Sequence, residues 1–473
     1  MDTDQFRSLG HELIEWIAAY RDHIGDYPVL SRSQPGEVAA LLPHEPPLRG
    51  GQMDDVIADL ERIVLPGITH WNHPGFFNFF PSNTDLSSVL ADLVSSGLGP
   101  QAMNWQTSPA ATEVEDVVME WLRKMVGLPD SFSGVIADTA STSTFTALLC
   151  ARERTSGFSQ NGGGLQAERA PLVVYASDQA HSSVQKGALL AGFGAAHLRL
   201  IATDDEHALR PDLLEHAVEE DLAAGLRPCA AVATVGTTVS TALDPVAPIA
   251  DLCARHGLWL HVDAALAGTA MVCPEYRDMW RGVERADSLV LNPHKWMGTG
   301  FDLSAYYVRD PEHLVRVMST DPSYLRTTQD GLVRNLRDWG IPLGRRFRAL
   351  KLWFLLRAEG VEGIRARIRR DVGNAAWLAQ QVDAAPDWER LAPAPLQTVC
   401  LRHVPERQAG DEAALAAHNA AVVARVVAGS DYYLGTADLK GRLVIRVSVG
   451  SQPTEREHVA GVWEALQQAA ALT

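Results

Sequence analysis

The spacing of hydrophobic positions changes along the chain. Near the amino terminus Leu9, Leu13 and Ile17 recur every fourth residue, which predicts an amphipathic helix whose apolar face needs a cover. Between about residues 86 and 301, helical segments alternate with short apolar runs that show no alternation. Such runs are typical of strands buried on both faces, so they predict a parallel sheet covered by helices. Four of them are strand candidates: 172–175, 230–235, 258–262 and 288–291.

The last quarter of the chain has a different pattern. A long helical stretch at 349–372 leads to 441–448, where apolar and polar residues alternate as in a strand with one solvated face. This combination predicts a small α+β domain. We therefore expect three parts: an N-terminal helical segment (1–85), a large cofactor-binding domain (86–348) and a small C-terminal domain (349–473).

Composition narrows the classes of function. The formal net charge of −17 over 473 residues argues against a nucleic-acid partner and against docking on an anionic membrane. No run of about 18 apolar residues is present, so no membrane span is expected. The five cysteines are dispersed, which predicts neither a disulfide framework nor a zinc site. With no export signal at the N-terminus, we expect a cytoplasmic protein.

Ionisable residues stand at the ends of two predicted strands. Asp263 follows 258–262, and Lys295 lies four residues after 288–291. Taken singly, the aspartate suits a helix cap or an ion pair, and the lysine suits the surface. Ligands of open α/β sheets bind at the carboxyl ends of strands, where the two would meet. A lysine that forms an imine and an acid that holds a ring nitrogen are what pyridoxal 5′-phosphate (PLP) requires.

PLP also needs a phosphate cradle and a flat group over its ring. The polar stretch 138–144 precedes a helical run at 145–152, and helix N-termini bind phosphate. The alternative for this stretch is an ordinary N-cap. His181 is the candidate for the flat group, although a single histidine is more often structural.

Six segments carry a resemblance to a known family. They are PGITHW (66–71), FFNFFPS (76–82), SPAATE (108–113), HVDAA (261–265), NPHKW (292–296) and IPLGRRFR (341–348). In this order, from about residue 9 to 463, the chain resembles the group II PLP-dependent amino-acid decarboxylases, closest to the aromatic-L-amino-acid decarboxylases.

The resemblance implies an α/β fold of PLP fold type I, with a mostly parallel seven-stranded sheet. Lys295 would carry the cofactor as a Schiff base, Asp263 would be the partner of the pyridine nitrogen, and His181 would stack on the ring. The other cofactor-binding positions it implies are Ala140, Ser141, Thr238, Ala265, Asn292 and His294. No metal is expected.

The resemblance also implies a substrate pocket, which it places at Trp71, Phe79, Phe80, Ser82, Met103, Leu336 and Gly344. In related plant enzymes the position of Gly344 tends to be glycine in members that accept indole. Phe79 stands where animal enzymes usually have tyrosine, Met103 replaces an aromatic residue, and Asp138 occupies a usual glycine position of the phosphate cradle. Leu336 stands where the resemblance places a mobile-loop tyrosine that protonates the decarboxylated product.

The implied function is decarboxylation of an aromatic L-amino acid (tryptophan, tyrosine, phenylalanine or DOPA) to its amine and CO2. The resemblance also implies a homodimer, with the N-terminal helices wrapped on the partner and loop 321–338 closing over the other subunit's site. Leu336 keeps open an O2-dependent aldehyde synthase, and a decarboxylase of a non-aromatic amino acid is a further alternative. An idle PLP-binding regulator is disfavoured because Lys295, Asp263 and His181 are all present. A metal hydrolase is disfavoured because His256, His261 and Asp263 lack a usual ligand spacing.

Overall fold

A computed structural model describes residues 1–320, 329 and 331–473. Its helices are α1 (Thr3–Asp22), α2 (Glu37–Ala40), α3 (Met53–Asp59), α4 (Leu65–Gly67), α5 (Leu86–Leu98), α6 (Pro109–Val126), α7 (Ala140–Ser156), α8 (Ser182–Leu190), α9 (Pro211–Ala223), α10 (Val246–His256), α11 (Pro311–Met318), α12 (Ala349–Ala384), α13 (Glu412–Ala428) and α14 (Arg456–Ala471). Its strands are β1 (Ser133–Ala137), β2 (Leu172–Ser177), β3 (Leu198–Ile201), β4 (Arg227–Thr234), β5 (Trp259–Asp263), β6 (Ser288–Leu291), β7 (Ser304–Val308), β8 (Trp388–Arg390), β9 (Thr398–His403), β10 (Gly435–Leu439) and β11 (Arg442–Ser448).

Seven strands form the central sheet, in the order β1-β7-β6-β5-β4-β2-β3. The pairs within β3-β2-β4-β5-β6 are parallel, whereas β7 runs antiparallel to both of its neighbours. Every residue of β2, β5, β6 and β7 is buried, because helices cover both faces of the sheet. The predicted α/β fold with a mostly parallel sheet is therefore confirmed.

The four predicted strands all occur, with small shifts at their ends. β4 starts three residues before the predicted 230–235, and β5 includes Asp263 as its last residue. The sequence patterns did not single out β1, β3 and β7. β3 lies at the sheet edge and is only partly buried, so its apolar pattern is weak.

A second sheet of four antiparallel strands, in the order β10-β11-β9-β8, lies in the C-terminal part. The predicted strand at 441–448 occurs as β11, but the prediction that one of its faces is solvated is wrong. Ile445 and Val447 pack in the core formed with α13 and α14, while Val444 is buried on the other face. That second face packs against the part of the chain that contains the large sheet. There Arg446 donates a hydrogen bond to the Val239 carbonyl at 3.1 Å.

Helix α12 links the two sheets. It bends at Gly360, whose φ of +65° is in the left-handed region that favours glycine. It packs on α5 and α6 and also on α14, β8 and β9. Its buried hydrophobic residues up to Ile368 belong to the core of the large sheet, and those from Ala375 onward belong to the core of the small sheet. The chain therefore passes from the large to the small part within a helix, and the domain boundary at 348/349 remains a prediction.

None of the helices in the described part of the chain combines the length and apolar character needed to cross a bilayer. Over the same residues, no three His, Cys, Asp or Glu side chains are grouped so that they could hold a metal ion.

Candidate active site

The carboxyl ends of β4, β5 and β6 and the N-terminus of α7 surround a pocket of about 200 Å³. Its lining residues are Phe80, Thr139, Ala140, Ser141, His181, Thr234, Gly236, Thr238, Asp263, Ala265, Leu266, Asn292, His294 and Lys295. The structure thus brings together all the residues that the sequence predicted to bind the cofactor.

Lys295 is carried on a short π-helical turn, Pro293–Met297, that follows β6 directly. Its own backbone is not helical (φ −95°, ψ −107°), and its N–H donates to the Asn292 carbonyl at 3.0 Å. Burial lowers the pKa of the Lys295 amine; Asp263 opposes this and Arg446 adds to it. A lowered pKa favours the neutral amine, which is the form that attacks an aldehyde.

Asp263 ends β5 beside the lysine turn. The residue is 4% exposed, and one carboxylate oxygen accepts the Ala265 N–H at 3.1 Å. A buried carboxylate stabilises a positive charge placed against it more strongly than an exposed one does. The position therefore suits a partner for a protonated ring nitrogen.

His181 is the N-cap of α8, and this fixes its hydrogen-bonding state. Its Nδ1 accepts the Ser183 N–H at 3.1 Å and lies 2.8 Å from the Ser183 hydroxyl. Partial desolvation lowers the pKa of His181 although the residue keeps an exposed face, so the neutral ring is favoured. With Nδ1 accepting, the neutral ring holds its proton on Nε2. His181 thus lines the pocket as a flat ring with one N–H to donate.

The N-terminus of α7 forms the predicted phosphate cradle. Thr139 is its N-cap, and Ala140 and Ser141 in the first helical turn line the pocket. Backbone N–H groups at a helix N-terminus favour an anion. Asp138 does not fill the cradle, because its carboxylate accepts the Thr139 N–H (2.6 Å) and lines a separate cavity.

Two buried polar atoms of the pocket support a polar ligand. Thr234 Oγ1 and Asn292 Oδ1 have no hydrogen-bond partner among the described residues. Buried polar atoms are rarely left unpaired, so a ligand with a phosphate and a polar ring suits this cavity. Lys295, Asp263 and the first turn of α7 also fit PLP, because they can bind its aldehyde, its ring nitrogen and its phosphate, respectively.

Three lining residues were missed by the sequence analysis: Thr234, Gly236 and Leu266. Gly236 directly follows the predicted strand 230–235, so the same strand-end rule that selected Asp263 would have selected it. Arg446 was also missed. It lies on β11, far away in sequence, yet its guanidinium carbon is 4.6 Å from the centre of the Phe80 ring.

The residues predicted for the substrate pocket are not gathered in the same way. Phe80 lines the cofactor pocket, with Lys295 Nζ 5.4 Å from its ring centre. Trp71 and Phe79 stack on each other at 5.6 Å, and the two residues are 38% and 49% exposed. Ser82 is half-buried, next to Asn83, whose backbone N–H donates to the Lys295 carbonyl at 3.4 Å.

Met103 and Gly344 lie together in another part of the chain's surface. The Met103 carbonyl accepts the Arg337 N–H at 2.7 Å, and its neighbour Ala102 donates to the Arg345 carbonyl at 3.0 Å. Gly344 is exposed. Neither Met103 nor Gly344 lines the cofactor pocket of its own chain.

Leu336 begins a 3₁₀ turn, Leu336–Trp339, and is 1% exposed. It belongs to the same hydrophobic core as Val135 and Val308. Leu336 does not line the cofactor pocket of its own chain, and its place in a substrate pocket stays a prediction. The first part of the predicted loop, 321–328, and position 330 lie outside the described residues.

Comparison with known proteins agrees with this site. The family model described as "Pyridoxal-dependent decarboxylase conserved domain" matches residues 35–404. Phenylacetaldehyde synthase of Arabidopsis thaliana is 40% identical over 99% of this chain and 96% of its own length. Tyrosine decarboxylase 2 of Narcissus pseudonarcissus is 38% identical over 100% and 95%, respectively. The crystal structure of Oryza sativa TDC with PLP and tryptamine superposes with a TM-score of 0.96 at 36% identity, covering 100% of this chain and 98% of that one. The chain belongs to the pyridoxal-dependent decarboxylases.

Proposed function

We propose that this enzyme decarboxylates aromatic L-amino acids to the amine and CO2. The observation that carries the proposal is that Lys295, Asp263 and neutral His181 share one pocket with the aromatic ring of Phe80. Relatives named for tyrosine decarboxylation, and a neighbour solved with tryptamine, support an aromatic substrate.

Bound PLP supplies an acceptor for the electron pair that the Cα–carboxylate bond leaves behind. Lys295 binds the cofactor through its neutral amine. Asp263 stabilises the positive charge on the ring nitrogen, and the first turn of α7 binds the phosphate. His181 would lie against the bound ring, and it holds a proton at Nε2 that it could donate within the pocket directly or through one water.

The substrate side is apolar. Phe80 lines the pocket, and its neighbour in sequence, Phe79, stacks on Trp71. With Phe79 and Met103 in place of hydroxyl-bearing or aromatic side chains, this wall offers few hydrogen bonds to a phenol. We therefore propose activity on tryptophan as well as on smaller rings.

We propose that the enzyme is a homodimer. Helix α1 buries none of its side chains within the chain, and α5 exposes a large apolar surface. The exposed apolar residues of α5 are Leu86, Leu90, Leu93, Val94 and Leu98. Contiguous apolar surface of this size marks an interface, and a second copy would also cover Trp71 and Phe79. The buried, unpaired state of all five cysteines supports the cytoplasm as the compartment.

A second candidate is the aldehyde synthase, because one relative carries that name. It would convert the amino acid, O2 and water into the aldehyde, CO2, ammonia and hydrogen peroxide. The sequence argument for it was that Leu336 stands in place of a proton-donating tyrosine, and here Leu336 is buried in the core of its own chain. The sequence of 321–338 does contain one phenol, Tyr324, which lies outside the described residues.

The test is incubation of the PLP-loaded enzyme with tryptophan, tyrosine, phenylalanine and DOPA, measuring CO2, amine, aldehyde and peroxide together. We expect about one amine per CO2 on at least one of these substrates. One O2 consumed per CO2, with almost no amine, would establish the synthase instead. Tyr324→Phe, run beside the wild type, tests whether that hydroxyl affects the ratio of products.

A further inference from the structure

In the turn that carries Lys295, the Pro293 carbonyl accepts the Gly298 N–H at 3.0 Å, but the Trp296 and Met297 carbonyls lie at its end. The last carbonyls of a helix lack intrahelical partners, and in a five-residue turn this leaves most of them free. The Trp296 and Met297 carbonyls instead accept hydrogen bonds from one side chain, the guanidinium of Arg367, at 2.6 Å each. Arg367 lies 70 residues further along the chain, on α12.

The site of Arg367 is built for this contact. The residue is 7% exposed, and its guanidinium also pairs with Glu359 (3.1 Å) across the bend of α12 at Gly360. Gly298, which ends the turn with φ +106°, leaves room for it: a Cβ there would lie 3.3 Å from the guanidinium. A buried cation is stable only when it is well hydrogen-bonded or paired, and both conditions are met.

A second residue of α12, Asp371, contacts the same π-helical turn. It lies four residues after Arg367. The buried carboxylate of Asp371 accepts the indole N–H of Trp296 at 2.8 Å. Arg370 pairs with that carboxylate at 3.0 Å. Residues four apart lie on one face of a helix, so Arg367 and Asp371 contact the turn side by side.

We infer that Arg367 and Asp371 are positioning residues for catalysis, which hold the Lys295 side chain in line with Asp263. The turn has a non-helical residue at Lys295 itself, so its own backbone hydrogen bonds do not fix the direction of the side chain. Because α12 continues into the small C-terminal part, this contact also connects the lysine to that part. The inference rests on the proposed function only in taking Lys295 as the residue that binds the cofactor.

The experiment compares Arg367→Met with Arg369→Met in the PLP-loaded enzyme. Arg369 is the matched control, because it lies two residues away on α12, is largely exposed and pairs with Glu275 instead. We expect Arg367→Met to lower kcat by about tenfold or more, since small misplacements of a reacting group are costly, with KM within about twofold. Arg369→Met should match the wild type in both.

A spectroscopic readout separates positioning from general damage. The visible circular dichroism of the bound cofactor reports how the lysine orients it, and it needs no substrate. We expect Arg367→Met to change this signal while borohydride still traps the cofactor on Lys295. Arg367→Lys, which keeps the charge and loses the planar fork, should recover part of kcat and part of the signal.

If Arg367→Met does not fold, Trp296→Phe provides the second test, because it removes the indole N–H that Asp371 accepts while keeping an aromatic ring in the core. It should change the dichroism in the same direction by a smaller amount. Equal kcat and equal dichroism in the Arg367 and Arg369 variants, or in Trp296→Phe and the wild type, would overturn the inference. Failure of the proposed function would appear differently, as absence of the trapped adduct or of any aromatic substrate in the wild type.

Discussion

The two sides of the active site are built differently. On the cofactor side, Lys295, Asp263, His181 and the first turn of α7 follow or end strands of one sheet and line one pocket. On the substrate side, Trp71, Phe79, Met103 and Gly344 are half-buried or exposed, and the first two lie apart from the last two. All residues predicted for the first side line one pocket of a single chain, whereas Trp71, Phe79, Met103 and Gly344 do not line it. This is why we propose that a second copy completes the substrate side.

The largest effect should come from the cofactor side. Lys295→Ala removes the amine that binds the cofactor, so we expect turnover below detection and no borohydride-trappable adduct. Lys186→Ala, on the surface of α8, is the control and should behave as the wild type. An adduct still found in the Lys295 variant at another lysine would show that the cofactor side is assigned wrongly.

Asp263→Ala should reduce kcat by about two to four decades. Breaking a buried charge pair costs on the order of 3–5 kcal/mol, which corresponds to that range if it is expressed in the transition state. Steady-state kinetics at saturating PLP check the effect on kcat, and cofactor titration checks binding. Turnover close to that of the wild type would contradict the role of Asp263 as partner of the ring nitrogen.

The buried cofactor side should also respond to acid. His261, on β5 beneath Asp263, is fully buried, and burial lowers its pKa to about 4. The unfolded chain takes up this proton first, near pH 6.5, so stability is full above that pH and falls as the pH drops toward 4, by about 3 kcal/mol in total. Urea unfolding at pH 7 and pH 5 measures it. His261→Gln should weaken this pH dependence, whereas exposed His216→Gln should leave it unchanged.

Substitution of Leu336 tests whether this residue belongs to the substrate side or to the hydrophobic core. Because it is a core residue, Leu336→Tyr should lower the free energy of unfolding by about 1–3 kcal/mol through overpacking. The ratio of amine to aldehyde should stay as in the wild type. Leu332→Tyr, at a position 79% exposed, is the matched control for stability. A changed product ratio without loss of stability would return Leu336 to the active site.

The smallest effect is expected at Gly344. A Cβ there would meet only Gln101 Oε1, at 3.7 Å, so the fold accepts serine. If a second copy brings Gly344 to the pocket, Gly344→Ser should lower kcat/KM for tryptophan about threefold to tenfold and leave tyrosine nearly unchanged. Gly340→Ser should affect neither substrate. Equal effects on both substrates would count against Gly344 as a determinant of ring size.

The cofactor side was predictable from sequence because strands and the residues at their ends can be recognised from neighbouring residues along the chain. An unbroken apolar run in the sequence predicts a buried parallel strand, and the residue that follows the run lies at the ligand-binding edge of the sheet. Asp263 and Lys295 were found in this way, and Gly236, which follows the predicted strand 230–235, obeys the same rule. Motif resemblance does not predict whether a side chain is buried. Leu336 occupies a matching position in the sequence, yet it packs in a hydrophobic core of its own chain.

By itself, the sequence determined the parallel sheet, the lysine and acid at its edge, and the family. Only the tertiary structure decided that Asp138 turns away from the cradle, that both faces of β11 are covered, and that Arg367 holds the Lys295 turn from 70 residues away. The physical reason is the distance along the chain between the residues that determine each feature. Hydrophobic period and strand-end position depend on neighbours along the chain, whereas the partner of a side chain depends on which distant segments the packed core brings beside it.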